Sequence, residues 1–576
     1  MSTFISTNLS TESNFFTKLN YKEVHSVDNL IFAQKEKRTF DPDMFFGTID
    51  DIFVVFNGVM LNRTELEENF HKDTTTGSLI RSMYVQETEF FNQFRGSFSG
   101  ALYDAPKKKC IIYTNHYGDN AIFYYKNGNI WAAASDLKGL MALLKANNQK
   151  LTFDEKAVQY MLTYGYMADD TTYISEIKRL LPGHYLEITS EGVKDNVYYE
   201  LKRNKLDLSN VAMEEAIEQI DILFRRAVKR EFDKDILYGK RHLVELSGGL
   251  DSRMNYWVAN DMGYKDILAI TFGQADCADE RIAKDIVDYW HGEIIVWPMN
   301  GAKHLFDLEE IVDTNFGLSI YSGIGSEKRI LDSLDMNEFG LLHTGQLGDV
   351  VLGTFMHSLE ELNDNNADGL YSDLLNSSDS AKSSLLCGNK EERLMIVRGM
   401  LGCMSSHFMP RIYTEVASPF LDVDLMDYML SLPLEWRINH YIYKQWIIKK
   451  YPDAANFKWE KIDAYITDSP IKLKIKQLSK MIQWNIRNPK RLLLRLGIIK
   501  SAPQAKLIDG MNPLDLWYDN ILDIRKYMDE VYKSNVHDSR FSESIQKNIE
   551  ELYQKGTMGE KLQVLTLLGA SKFYSF

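Results

Sequence analysis

The period of apolar positions changes along the chain. From Phe45 to Ile130 short apolar runs alternate with turn residues, and Ile52-Phe53-Val54-Val55-Phe56 reads as a buried strand that ends at Asn57-Gly58, a strong turn signal. Ser97 to Tyr103, Cys110 to Thr114, and Ala121 to Tyr125, passing through Asn127-Gly128 into Ile130 to Ala134, extend this into a β-meander. Ser135 to Lys145 and Asp154 to Tyr164 have helical spacing, so the first part is expected to be α+β. From Asn210 to Phe232 the spacing is helical with acidic residues early, where the helix dipole favours them. The period then alternates. His242 to Leu246, Asp266 to Phe272 and Glu293 to Trp297 read as strands, with helices at Asp251 to Met262 and Glu280 to Trp290. Such βα alternation predicts a parallel sheet with ligands at the carboxyl ends of its strands. Beyond Asp422 the pattern is mostly helical, with basic runs at Lys472 to Lys480 and Arg487 to Arg495 and no internal repeat.

Composition narrows the classes. A chain of 576 residues predicts two large units or three to four smaller ones. Its 66 basic against 81 acidic residues leave a net charge of −15, which argues against a general nucleic-acid coat or a polybasic membrane binder but permits a local basic patch. Cys110, Cys277, Cys387 and Cys403 are scattered without a CxxC pair, and read as reduced thiols, not as a disulfide framework or zinc site. Met1 to Asn20 lacks the basic and apolar regions of a signal peptide, and no run reaches ~18 apolar residues, so a soluble cytoplasmic protein without membrane insertion is expected.

The chemistry concentrates at Val244-Glu245-Leu246-Ser247-Gly248-Gly249-Leu250-Asp251-Ser252-Arg253, where a strand runs into a helix through Ser-Gly-Gly. Gly248 and Gly249 let the backbone approach an anion, and the N–H groups at the helix start, with the Ser247 and Ser252 hydroxyls, suit phosphate oxygens. Asp251 can hold magnesium. The stretch lacks the Gly-Lys-Ser/Thr ending of a Walker A loop, and suits a pyrophosphate leaving group with attack at the α-phosphate. Ser-Gly-Gly alone is compatible with a plain tight turn; Ser-Gly-Gly-x-Asp-Ser at the end of the first strand of a βα series points to nucleotide.

This loop resembles that of the PP-loop ATP pyrophosphatases and, more narrowly, the asparagine synthetase family. Thr344-Gly345-Gln346-Leu347-Gly348-Asp349-Val350-Val351-Leu352-Gly353 resembles the family's second signature, Ser-Gly-Glu-Gly-x-Asp-Glu-x-Phe-Gly-Gly. Ser418-Pro419-Phe420-Leu421-Asp422 resembles its Pro-Phe-Leu-Asp helix start. The resemblance covers roughly residues 45 to 465 and implies that Thr271, Phe272 and Gly273 lie against adenine, that Gly345 lines the nucleotide site, and that Asp251 and Asp349 bind magnesium. It also implies that Lys461, and more weakly Lys444, face the phosphates. Each has a plainer reading: Asp349 as a helix cap, Lys461 as a surface lysine, Lys444 as part of an ordinary helix from Tyr441 to Lys450. Gln346 stands where asparagine synthetases carry glutamate; a neutral amide can orient an amine but cannot take its proton.

The first part resembles class II glutamine amidotransferases. Phe56-Asn57-Gly58-Val59-Met60-Leu61-Asn62 is similar to their oxyanion segment and Arg95-Gly96-Ser97-Phe98-Ser99-Gly100-Ala101-Leu102-Tyr103-Asp104 to their strand pair; Leu181-Pro182-Gly183-His184 resembles the linker turn. Met1-Ser2 replaces the Cys-Gly start, and the glutamine-binding Arg-Gly-Pro-Asp pattern is absent, since Thr76-Gly77-Ser78 is followed by Leu79. A glutaminase without activity is expected, with Asn57-Gly58 serving only as a turn.

The resulting expectation is an α+β N-terminal-nucleophile-like sandwich at 1–205, followed at 206–576 by an α/β PP-loop domain with a helical C-terminal part. It would be a ligase using ATP and Mg2+ to adenylate a carboxylate and join it to an amine or ammonia, with a homodimer allowed. An intramolecular amide cyclase of macrolactam or β-lactam type and a catalytically silent scaffold are the alternatives.

Overall fold

The computed structural model describes residues 3–12, 14–35, 40–70, 75–364, 372, 388–487, 493 and 510–575. Met1-Ser2, Cys387 and most of the basic run after Arg487 lie outside these. The chain forms two compact units: 1–154, 168–201 and 411–417 make the first, and 155–167, 202–410 and 418–576 the second.

The first unit is built on two six-stranded antiparallel sheets. One runs, edge to edge, Ile177–Arg179, Phe123–Asn127, Ile130–Ala134, Thr3–Thr7, Leu30–Lys35, Glu23–Val27; the other runs Gly192–Val197, His184–Thr189, Lys109–Thr114, Gly96–Asp104, Ile52–Met60, Phe45–Ile49. Alternating apolar positions of both sheets meet in one core: Phe4, Phe32 and Trp131 from the first, Phe53, Val55, Ala101 and Ile112 from the second. Helices α1 (Thr76–Gln86) and α2 (Leu137–Ala146) complete the expected α+β sandwich. Buried Arg411 donates to the Asp119 carboxylate at 2.6 Å and also bonds the Asp119 carbonyl and the Ser97 hydroxyl.

One expectation fails here. The Asn127-Gly128 turn joins two strands as expected, but Asn57-Gly58 lies inside the nine-residue strand Ile52–Met60. That strand pairs with Gly96–Asp104 at every position from Ile52 to Met60, and ladder pairing over nine residues outweighs the local turn preference. Gly58 retains φ 104°, close to the Ser97 carbonyl, and buried Asn57 accepts a 2.6 Å hydrogen bond from Gln34.

The second unit alternates as its sequence predicts. After α3 (Glu155–Tyr164) and α4 (Met213–Leu237) come β1 (Arg241–Glu245), α5 (Leu250–Asp261), β2 (Ile267–Gly273), α6 (Ala278–Tyr289), β3 (Glu293–Pro298) and β4 (Phe339–His343). These strands are parallel in the order β3-β2-β1-β4, so β1, which feeds the Ser-Gly-Gly turn, is interior to the sheet. Helices α7 (Val423–Ser431), α8 (Tyr441–Lys450) and α9 (Pro470–Arg487) follow, then four helices between Leu514 and Phe573. Asp422 caps α7 by accepting from the Asp424 and Leu425 N–H groups, as the Pro-Phe-Leu-Asp pattern implies. No helix of the described residues is long and apolar enough to cross a membrane.

Behind β1 and β4, α4 holds a buried polar network. The Asp235 carboxylate pairs with His242 Nδ1 at 2.8 Å and His343 Nε2 at 2.7 Å, and accepts from Leu341 N–H at 2.7 Å; Glu231 lies 3.3 Å from His343 Nδ1. Phe232 stacks on His343 with ring centroids 4.0 Å apart. Asp235, His242 and His343 also form the metal-like cluster found among the described residues, but their contacts have hydrogen-bond lengths and tie α4 to the sheet.

Candidate functional site

At the carboxyl end of β1 the chain turns through Ser247-Gly248-Gly249 into α5. Ser252 Oγ, one turn into the helix, lies 2.9 Å from both Ser247 N and Ser247 Oγ, and Gly249 N–H donates to Ser247 Oγ at 3.2 Å. The loop is therefore held by its own hydroxyls at the positive end of a 12-residue helix. Gly248 is required by crowding: a Cβ there would come 2.9 Å from Glu460 Cβ, so the segment bearing Lys461 packs directly against the loop.

Asp251, in the first turn of α5, meets the second signature. Asp349 N–H donates to Asp251 Oδ2 at 3.0 Å, and a Cβ on Gly348 would lie 2.6 Å from Asp251 Cγ. A Cβ on Gly345 would strike the backbone of Asp251 and Ser252. These two glycines let the signatures touch. Burial, then the charge of Asp349, pushes the Asp251 carboxyl well above the usual carboxylate range. Leu347 occupies the left-handed region at φ 63°, where the family signature has glycine. Gln346 donates its backbone N–H to Thr344 Oγ1 and accepts from Ser418 Oγ at 3.0 Å through its backbone carbonyl, so its main chain is held at both ends.

Helix α8 supplies the opposite wall. Tyr443 donates to Asp251 Oδ1 at 2.9 Å, and Lys444 follows it, its ammonium pKa lowered by burial. His440, just before α8, sits with Asn439 in the left-handed region. A Cβ on Gly353 would collide with its ring, and its Nδ1 has no hydrogen-bond partner among the described residues. Burial and then Lys461 lower its pKa, with Asp349 opposing and Lys444 adding to the fall; His440 thus has Asp349, Lys444 and Lys461 as its charged neighbours. The expected residues Asp251, Asp349, Gly345, Lys444 and Lys461 are brought together around the loop.

Thr271, Phe272 and Gly273 end β2 beside the loop strand. Met511 packs there: its carbonyl accepts from Gln274 N–H at 2.8 Å, and a Cβ on Gly273 would lie 2.8 Å from its side chain. Met511 therefore packs against the edge where adenine is expected.

Four residues escaped the sequence reading. Buried Arg253 donates to the carbonyls of Gly248 (2.9 Å), Ala454 (3.3 Å), Phe457 (3.0 Å) and Lys458 (2.5 Å), tying the loop to the segment that carries Lys461. Tyr443 and His440 are the others on this wall. Glu245, two residues before the loop, hydrogen-bonds Glu327; burial raises both carboxyls, so the pair shares a proton. Only the Ser-Gly-Gly-x-Asp-Ser-Arg spacing hinted at Arg253.

The fold thus joins a sandwich of two antiparallel sheets to an α/β unit whose parallel sheet carries the Ser-Gly-Gly loop at the end of β1. Residues 44–199 match the family of the glutamine amidotransferase domain. A Methanocaldococcus jannaschii protein that bears the name asparagine synthetase (glutamine-hydrolyzing) 2 is 26% identical over 324 residues, 54% of this chain and 60% of that protein. Asparagine synthetase (glutamine-hydrolyzing) 2 of Bacillus subtilis is 28% identical over 223 residues, 36% of this chain and 29% of that one. Over these stretches the chain is similar to proteins that bear the name asparagine synthetase. It spans about 60% of the length of the first of these relatives. Among solved structures, the glutamine phosphoribosylpyrophosphate amidotransferase from B. subtilis aligns with 46% of this chain and 67% of its own, at 11% identity and a TM-score of 0.22.

Proposed function

We propose that the second unit is an ATP-dependent amide-forming ligase that activates a carboxylate as an acyl-adenylate. The observation that carries this reading is the meeting of Asp251 and Asp349 across Gly345 and Gly348 at the mouth of a Ser-Gly-Gly loop. Two carboxylates in mutual repulsion at a helix start, one of them exposed, form a donor set suited to a hard cation, so the residues fit magnesium. Asp251 and Asp349 would hold it, and when bound it would neutralise phosphate charge. The N–H groups of the loop, with Ser247 and Ser252, hold the pyrophosphate by exchanging the bonds they make within the loop and, at Gly248, to Asp279 for bonds to its oxygens. The substrate carboxylate oxygen attacks the α-phosphorus, the bond to the β-phosphate oxygen breaks, and pyrophosphate departs. Lys461 and Lys444 offset the charge that builds on the α-phosphate, and Arg253 fixes the segment that positions Lys461. An amine nitrogen then attacks the acyl carbon, the carbon–oxygen bond to AMP breaks, and the amine proton leaves to solvent, since Gln346 orients the nucleophile without accepting a proton.

The amine is free ammonia or an amine, not one released from glutamine by the first unit. Support comes from the missing Arg-Gly-Pro-Asp pattern, since Thr76-Gly77-Ser78 is followed by Leu79, and from Cys110, which is buried in a strand with its thiol pushed far above the usual range by burial. The test is product analysis with Mg-ATP and a metabolite extract: AMP, pyrophosphate and a new amide are expected, and stoichiometric ADP without AMP overturns the mechanism. Ammonia at raised pH should support amide formation where glutamine at equal concentration does not. A cyclic product that depends on neither identifies an intramolecular amine. Asp251→Asn and Asp349→Asn should each abolish turnover; wild-type activity at low millimolar magnesium removes that residue from the metal site.

A further inference from the structure

Helix α9 turns an apolar stripe to solvent. Ile471, Ile475, Leu478, Ile482 and Ile486 recur at spacings of four, three, four and four, which places them on one side of a helix with 3.6 residues per turn. Their exposures are 73, 61, 51, 47 and 72%, and neighbouring Met481 is 46% exposed. The other described helices expose at most three large apolar side chains each, so this stripe is not the ordinary scatter of surface hydrophobics.

The charges of the helix have one sign. Lys472, Lys474, Lys476, Lys480 and Arg487 lie within it and no acidic residue does, in a chain of net charge −15. By helical position Lys472 and Lys476 flank one side of the stripe and Lys474 the other. Lys472 pairs with Asp468 at 2.6 Å and Lys476 approaches Asp463 at 3.6 Å, surface pairs that a stronger anionic field can replace.

A second copy of this helix laid on the stripe would set lysine rows against lysine rows with no acid between them. An anionic lipid surface instead supplies both parts of the match: acyl chains for the stripe and headgroup charge for the lysines. In a protein of net charge −15, a face whose charges are all basic is one that such a surface attracts. We propose that α9 lies in the interface of an anionic bilayer, parallel to it along about 27 Å, with the isoleucine stripe at the acyl boundary and the lysines among the headgroups.

The full chain should co-sediment with phosphatidylcholine vesicles containing about 30% phosphatidylglycerol at least about tenfold more strongly than with phosphatidylcholine alone, and salt should weaken the binding. The double substitution Ile475→Glu/Ile482→Glu should lower binding at least about tenfold while leaving the thermal unfolding midpoint in place, because both side chains are exposed. Equal partition onto neutral and anionic vesicles overturns the proposal, as does wild-type binding by the double variant. Sedimentation equilibrium gives a third result: a wild-type dimer that the double variant converts to monomer, without vesicle binding by either, assigns the stripe to a second copy and also overturns it.

Discussion

At the scale of single residues, the strictest requirements fall on glycines and on one buried histidine. Gly345→Ala would drive a methyl group into the backbone of Asp251 and Ser252, so nucleotide-dependent activity should be lost while the far-UV spectrum of the purified variant stays that of the parent. Retained activity would show that the two signatures have room to part. His343, fully buried against Asp235 and Glu231, has its pKa raised to about 9, the carboxylates outweighing the burial that opposes them. The folded state binds this proton more tightly than the unfolded chain, so the stabilisation is complete below the unfolded histidine value near 6.5 and is lost as pH rises through about 9. Glu231, raised to about 7 by burial, acts in the same direction over a lower range. Denaturant titrations from pH 6.5 to 10 should therefore show falling stability, on the order of 3 kcal/mol from His343, and a flat profile in that range would mean that the network carries no proton. None of this was legible in the sequence: His343 meets Asp235 across 108 residues, and Glu245 meets Glu327 across 82, distances over which local pattern carries no information.

Elements were more readable, because their signals are local. The strands and helices from Arg241 to Pro298 fall within two or three residues of the boundaries set by period and turn residues, and Asp422 caps α7 where its motif places it. Asn57-Gly58 was misread for the opposite reason, since its conformation is set by a neighbouring strand about 40 residues away. The junction of loop, α5 and the Lys461 segment is likewise tertiary. Arg253→Ala would leave four carbonyls without this donor, and a loss of about 3–5 kcal/mol with a large fall in turnover is expected. Arg253→Lys should restore little of either, because an ammonium cannot span the fan of carbonyls that the planar guanidinium reaches. Full recovery in the lysine variant, read by thermal unfolding and steady-state rate, would reduce Arg253 to a filler of space.

At the scale of the whole molecule, each unit is assembled from separated stretches of chain. Residues 411–417 complete the first unit and bring Arg411 to Asp119 and Ser97, whereas 155–167 belong to the second. A fragment of residues 1–205 lacks that arginine and leaves the Asp119 carboxylate, 3% exposed, without its guanidinium, so it should aggregate or melt well below the intact chain. A fragment that unfolds cooperatively at the temperature of the full protein would show the return of 411–417 to be dispensable. The same arrangement bears on how the protein comes off the ribosome. Domains usually fold in order of synthesis, at about 5–20 residues per second. Here the first unit waits for a strap encoded more than 200 residues after Leu201, an interval on the order of 10–40 s during which its sheets are complete in sequence and open at Asp119. Nascent chains paused before residue 411 should therefore hold chaperones longer than chains paused after residue 417.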